Sequence, residues 1–173
     1  MRKGTGILAM LAVSLAGGCA APAVARDACL VGSWTPLGNG AADWVRRQAP
    51  GMRMAITQQA ANLRLDVDGS YRAQAQVEAE ASGPSRRARS NAAYSASGSW
   101  TSADGRLTLA PATSASRGAV EVGPGDGRSS RMALPAATAQ PAMQEYSCSG
   151  DTLETRMRIP GSADPIVQRY RRQ

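Results

Sequence analysis

Between Leu63 and Ala81, apolar and polar side chains alternate with a period of two, and no other stretch restricts the fold as tightly. Leu63, Leu65 and Val67 alternate with Arg64 and Asp66. Tyr71, Ala73, Ala75, Val77, Ala79 and Ala81 then alternate with Arg72, Gln74, Gln76, Glu78 and Glu80. Successive side chains of a strand point to opposite faces, so the pattern predicts two strands, each buried on one side. The turn between them decides the register. A tight turn at Asp68-Gly69 alone sets Leu65 opposite Arg72, apolar against polar. A loop of Val67, Asp68 and a left-handed Gly69 sets Leu65 opposite Tyr71 and Leu63 opposite Ala73. The longer loop keeps one face apolar and is the one expected.

The rest of the chain is read outward from this pair. A first strand runs from Cys29 through Trp34 and ends near Pro36 and Leu37, at Gly38-Asn39-Gly40. A short helix follows over Ala41 to Ala49, with Asp43 near its positive end, Arg46 and Arg47 near its negative end, and Pro50-Gly51 as its stop. Trp44 and Val45 are expected to face inward. Met52 to Ala61 alternates only weakly, and Gly83 to Asn91 reads as a polar loop. Tyr94, Ala96, Gly98 and Trp100 share a strand face. A loop over Ser102 to Gly105 sets Trp100 opposite Leu107 and Gly98 opposite Leu109. Val120 with Val122, and Met132 with Leu134, read as short strands around the turn Gly123 to Gly127, and Pro135 to Pro141 as another loop. The turn at Gly150-Asp151 sets Cys148 opposite Leu153 and Tyr146 opposite Thr155, with Arg156 and Arg158 outside. Ile166 to Arg172 is the last strand. About eight strands in hairpin order with one helix after the first strand predict an all-β, antiparallel up-and-down barrel, a closure that removes exposed edges.

Aromatic residues make up only 4% of the chain and Phe is absent, so large core side chains are scarce and a covalent staple is useful. The cysteines fit an exported chain. Arg2 and Lys3 precede an apolar run from Ile7 to Ala16, the length of a signal-peptide core and too short to span a bilayer. Residues 1–25 are read as a signal peptide with two possible processing sites: before Cys19, in a lipobox-like Leu15-Ala16-Gly17-Gly18-Cys19, or after Ala25, in Ala23-Val24-Ala25. The first leaves Cys19 lipidated and the chain anchored to a membrane as an outer-membrane lipoprotein; the second gives a periplasmic or secreted protein. Residues 26–173 form the folded domain in both cases. Either way Cys29 and Cys148 remain as a pair in an oxidising compartment, and a disulfide between them stabilises by about 4 to 5 kcal/mol in the chain-entropy model.

Against that background, several short motifs resemble the lipocalin-like domains of bacterial secreted proteins and lipoproteins. They are Leu30-Val31-Gly32-Ser33-Trp34 at the first strand, Asp68-Gly69-Ser70-Tyr71 at a hairpin, and Gly98-Ser99-Trp100 leading into Asp104-Gly105-Arg106-Leu107. Tyr146 to Leu153 and Tyr170-Arg171 complete the set. The resemblance implies a lipocalin-like barrel whose floor is closed by Gly32 and Trp34, with an arginine of the last strand, Arg171 or Arg169, across the indole. That is a fold-holding role.

For function, histidine is absent from the chain, which removes Ser-His-Asp and Cys-His nucleophilic systems and histidine metal ligands. Glu78 and Glu80 lie on the polar face of a strand, where an ion pair with Arg156 or Arg158 is expected rather than acid–base chemistry. The run Arg86-Arg87-Ala88-Arg89 lacks interleaved aromatics and is read as a solvated loop, not a nucleic-acid site. The expectation is therefore no enzyme, cofactor or metal. Two roles remain. The small wall of Ala73, Ala75, Ala79 and Ala81 suits a cavity for a small apolar or amphipathic ligand, ringed by Tyr71, Tyr94, Trp100, Tyr146 and Met157. The alternative is a protein-interaction or inhibitor module with a filled core. An open interior marks the first and a packed one the second.

Overall fold

In the computed structural model, which describes residues 26–51, 53–83, 86–124 and 128–173, the alternating stretch forms the antiparallel pair it predicts. Leu65 lies opposite Tyr71 and Leu63 opposite Ala73, and Gly69 is left-handed at φ 87°. The signal segment, both processing sites and Cys19 lie outside the described residues. The described residues form strands β1 Gly32–Leu37, β2 Arg53–Leu65, β3 Ser70–Ser82, β4 Arg86–Ala103 and β5 Arg106–Pro124. They continue with β6 Ser130–Ala133, β7 Ala142–Ser149, β8 Thr152–Met157 and β9 Ile166–Arg172; one helix, α1 Gly40–Gln48, follows β1.

The sheet order is β4-β3-β2-β1-β9-β8-β7-β5, with β4 and β5 paired to complete the ring and β6 attached to the far part of β5. This is the expected closed antiparallel barrel of eight strands with a short helix after the first. Its walls are unequal. β1 pairs with β2 only at Leu63 to Leu65, and β7 pairs with β5 only at Arg106 to Leu109. By contrast, β2–β3 pairing continues to Arg53 opposite Ser82, and β4–β5 pairing to Arg86 opposite Pro124. A five-stranded sheet, β2-β3-β4-β5-β6, thus projects beyond the barrel from one side of it.

The projecting part holds the main departures from the sequence reading. Arg86 to Asn91 is strand, with Ala88 opposite Ala81 and Ser90 opposite Ala79. Beyond Arg86 its inward residues are Ala and Ser, too small to give a hydrophobic periodicity, while Arg87 and Arg89 lie on the polar side and mimic a loop. Met52 to Ala61 is resolved in the same way: Arg53 onward joins β2. Ala110 to Pro124 belongs to one long strand interrupted by a bulge, where Ser97 faces Thr113 but Gly98 faces Pro111. Pro111 has no N–H to lose there. The β4–β5 turn is tighter than expected. Asp104 and Gly105 are both left-handed, at φ 50° and 70°, so Trp100 faces Leu109 rather than Leu107, and Gly98 does not face Leu109. Asp-Gly is the pair that a two-residue hairpin turn of this kind selects.

The other turns match expectation, with Cys148 opposite Leu153 and Tyr146 opposite Thr155. Helix α1 is capped by Asn39, whose side chain accepts from the Ala42 amide at 3.0 Å. It rests on β9. A side chain at Gly40 would collide with the Val167 carbonyl, which explains glycine at its first position. Trp44 is half-buried, its indole donating to the Asp164 carbonyl at 2.9 Å.

Candidate functional site

Leu30, Trp34, Leu63, Leu65, Tyr71, Trp100, Leu107 and Leu153 fill the closed end of the barrel, with Ala96 beside them. The tetrapeptide Gly-Ser-Trp-Thr occurs twice, at Gly32 to Thr35 and at Gly98 to Thr101, and both indoles are built in alike. Trp34 Nε1 donates to the Leu30 carbonyl at 2.8 Å and Trp100 Nε1 to the Asp66 carbonyl at 2.9 Å. Each indole also carries an arginine: Arg172 lies 4.2 Å from the Trp34 ring centroid, and Arg26 lies 5.8 Å from that of Trp100.

Arg172 corrects the expectation of Arg171 or Arg169. Trp34 pairs with Arg172 across β1–β9, whereas Arg171 pairs with Thr35 and so points outward. Arg169 is bound to Glu154 at 2.9 Å. Arg172 also donates to the Val31 and Cys29 carbonyls at 2.5 and 2.6 Å, tying the last strand to the single helical turn Ala28–Leu30 that precedes β1. Cys29 and Cys148 are bonded, with Cα atoms 6.1 Å apart, at this same end.

The five residues expected to ring a ligand do not form one pocket. Tyr71 is 3% exposed and Trp100 fully buried, both within the core. Tyr146 Oη donates to Asp27 Oδ2 at 2.9 Å, pinning the start of the domain to β7. Burial and, next, the neighbouring Asp27 carboxylate hold its pKa above the usual phenol range, keeping it a donor. Met157 stands half-buried at the far end of β8, opposite Ile166. Only Tyr94 is well exposed, at 43%, beside a shallow cleft of about 280 Å³ above the packed end.

The ion pairs also differ from expectation. Glu80 binds Arg89, its cross-strand partner, at 2.9 Å, while Arg156 binds Glu154 and Arg158 binds Glu145. Strands β3 and β8 stand on opposite sides of the ring, so Glu78 and Glu80 do not meet Arg156 or Arg158.

The projecting sheet sorts its residues by face. One face continues the inside of the barrel in consecutive rungs. Met54, Ala81, Ala88, Val122 and Ser130 form one rung near the outer end, and Ile56, Ala79, Ser90, Val120 and Met132 the next. Gln58, Val77, Ala92 and Gly118 follow. None of these residues is ionisable; Arg86, opposite Pro124, is on the same face at its outer end. The opposite face carries Arg53, Arg87, Glu80, Arg89, Glu121 and Arg131 on corresponding rungs. Among the described residues, the apolar face has no second layer: α1 lies on β9 and touches only the margin of β2. Met132 on its border is 57% exposed. The alanines of β3 were legible as one wall of this surface; the walls contributed by β4, β5 and β6 were not.

No family model, curated protein or solved structure matches the chain.

Proposed function

We propose that this chain is a non-catalytic, exported protein of lipocalin-like type in which the barrel is a scaffold and the projecting sheet is a protein-interaction surface. The observation that carries this reading is the packing of Trp34, Trp100 and Tyr71 into the closed end, together with a sheet face that has three rungs without an ionisable group and that nothing among the described residues covers. A ligand cavity lined by Tyr71, Trp100 and Tyr146 requires these side chains to face open space; each is instead engaged in core packing or in holding the floor. An apolar surface on this scale favours a protein partner, because burying it removes it from water.

The position of Arg26 sets how the domain would stand on a lipid anchor. Arg26 lies at the closed end, bonded to the Trp100 carbonyl. If Cys19 carries the lipid, the tether to Arg26 spans at most about 25 Å, and the closed end sits nearest the membrane. Strand β4 runs from that end for roughly 55 Å along its length, so the sheet points away from the anchor.

Fluorescence titration of a Trp44→Phe variant tests the scaffold reading, leaving Trp34 and Trp100 as reporters of the barrel interior. A fluorescent fatty acid added up to its solubility limit is expected to leave their emission unchanged. Saturable quenching, abolished by Tyr71→Trp or by another enlargement inside the barrel, is the result that rejects the reading.

A further inference from the structure

We propose that the occupant of the apolar sheet face is a second copy of this chain; the proposal rests on the interaction reading above and specifies its partner. A sheet with one apolar face is stable when a second layer covers that face, and this sheet has no such layer within its own described residues. The extent of the face suits a dimer. Four strands at a spacing of about 4.8 Å, over roughly seven residues each, with the four residues of β6 along the edge, give a plane near 500 Å². Side-chain relief raises its accessible area towards the ~800 Å² per partner of a standard interface.

Charge favours a copy over an unrelated partner. The mature chain has an excess of arginine, so two copies meeting through most of their surface would place like charges together. The apolar face is the exception, since Val77, Ala79, Val120 and Val122 are bordered by Met54 and Met132 with no ionisable group on their rungs. A twofold interface sets a patch against itself, which an uncharged face tolerates without compensation. A heterologous protein selected for fit would find no charge on these rungs to read, only the side chains of Gln58, Ser90 and Ser130. The small residues at the centre, Ala79, Ala92 and Gly118 among them, permit the close approach that sheet-on-sheet packing at about 10 Å requires.

The test is sedimentation equilibrium of the mature protein over a hundredfold range of concentration, paired with native mass spectrometry of the protein from its producing cells. A reversible monomer–dimer equilibrium is expected. Val77→Glu and Val120→Glu, which place a charge in the centre of the face, are expected to raise the dimer Kd by roughly a hundredfold or more. Gln76→Glu, on the opposite face of the same strand, is expected to leave it within about threefold. Should the central variants not fold, as read by circular dichroism, Met132→Glu at the exposed margin serves the same purpose. A monomer at every concentration, or a dimer indifferent to these substitutions, overturns the proposal. A monomer carrying a different protein overturns it and leaves the interaction reading standing. A monomer carrying a small molecule that Val77→Glu releases overturns both.

Discussion

Replacing Arg172 by Met removes the cation from the Trp34 face and the hydrogen bonds to the Val31 and Cys29 carbonyls, while retaining most of the aliphatic volume. A cation over an indole contributes about 0.5–2 kcal/mol, and bonds from a charged donor about 1.5–3 kcal/mol when one partner is deleted. The side chain is 26% exposed, so the lower parts of these ranges apply and the combined loss is roughly 3 kcal/mol. In a domain of this size that lowers Tm by about 6–12 °C. Arg172→Lys keeps the charge but not the forked geometry and is expected to fall between the two. Arg171→Met, one residue away on the outer face, is expected to cost under about 0.5 kcal/mol. Thermal unfolding followed by near-ultraviolet circular dichroism reads all three variants. Equal losses for Arg171→Met and Arg172→Met, or a loss below about 1 kcal/mol for Arg172→Met, would refute the assigned register and the role derived from it.

The disulfide closes a separation of 119 residues, for which the chain-entropy relation gives about 5 kcal/mol at 25 °C. Cys29→Ser with Cys148→Ser is expected to lower the unfolding free energy by about that amount in urea titrations, and an unchanged value argues against the bridge as a stabiliser. Glu154 accepts from Arg169 and Arg156, which, in that order, hold its pKa below the ordinary carboxylate value. Its stabilisation is complete above the unfolded-state pKa and disappears as pH falls through the folded one. Glu154→Gln is therefore expected to cost roughly 1 kcal/mol at pH 7 and nothing near pH 2, as read from Tm against pH; a constant difference contradicts this. Gly98→Ala is expected to destabilise the β4–β5 bulge strongly, because a Cβ there meets the backbone of Pro111 and Ala112. Wild-type stability for that variant would contradict the close approach.

The elements with large alternating side chains were legible in the sequence. Leu63, Leu65 and Tyr71 fixed the register of β2 and β3, and the Gly150-Asp151 turn that of β7 and β8. Where the inward residues are Ala, Ser and Gly, as in Arg86 to Ala93 and Ala110 to Gly118, periodicity fades, and long strands read as loops. The proposed interaction surface fell within those segments. Its apolar character arises only when weakly patterned strands are laid side by side, and Ala79, Ser90 and Val120 are brought together from separate hairpins. The arginine at Trp34 was missed by one position, for a related reason: adjacent Arg171 and Arg172 are chemically identical, and only the β1–β9 register tells inside from outside.

The most direct measurement is hydrogen–deuterium exchange of residues 26–173 in the protein, followed by mass spectrometry at low and high protein concentration. Amides around Trp34, Tyr71, Trp100 and Leu153 are expected to be strongly protected at both concentrations. Those of β6 and of the projecting parts of β2 to β5 should gain protection as concentration rises. Rapid exchange around the closed end without added ligand, and slow exchange once an apolar ligand is present, would contradict it by showing an interior that opens to bind.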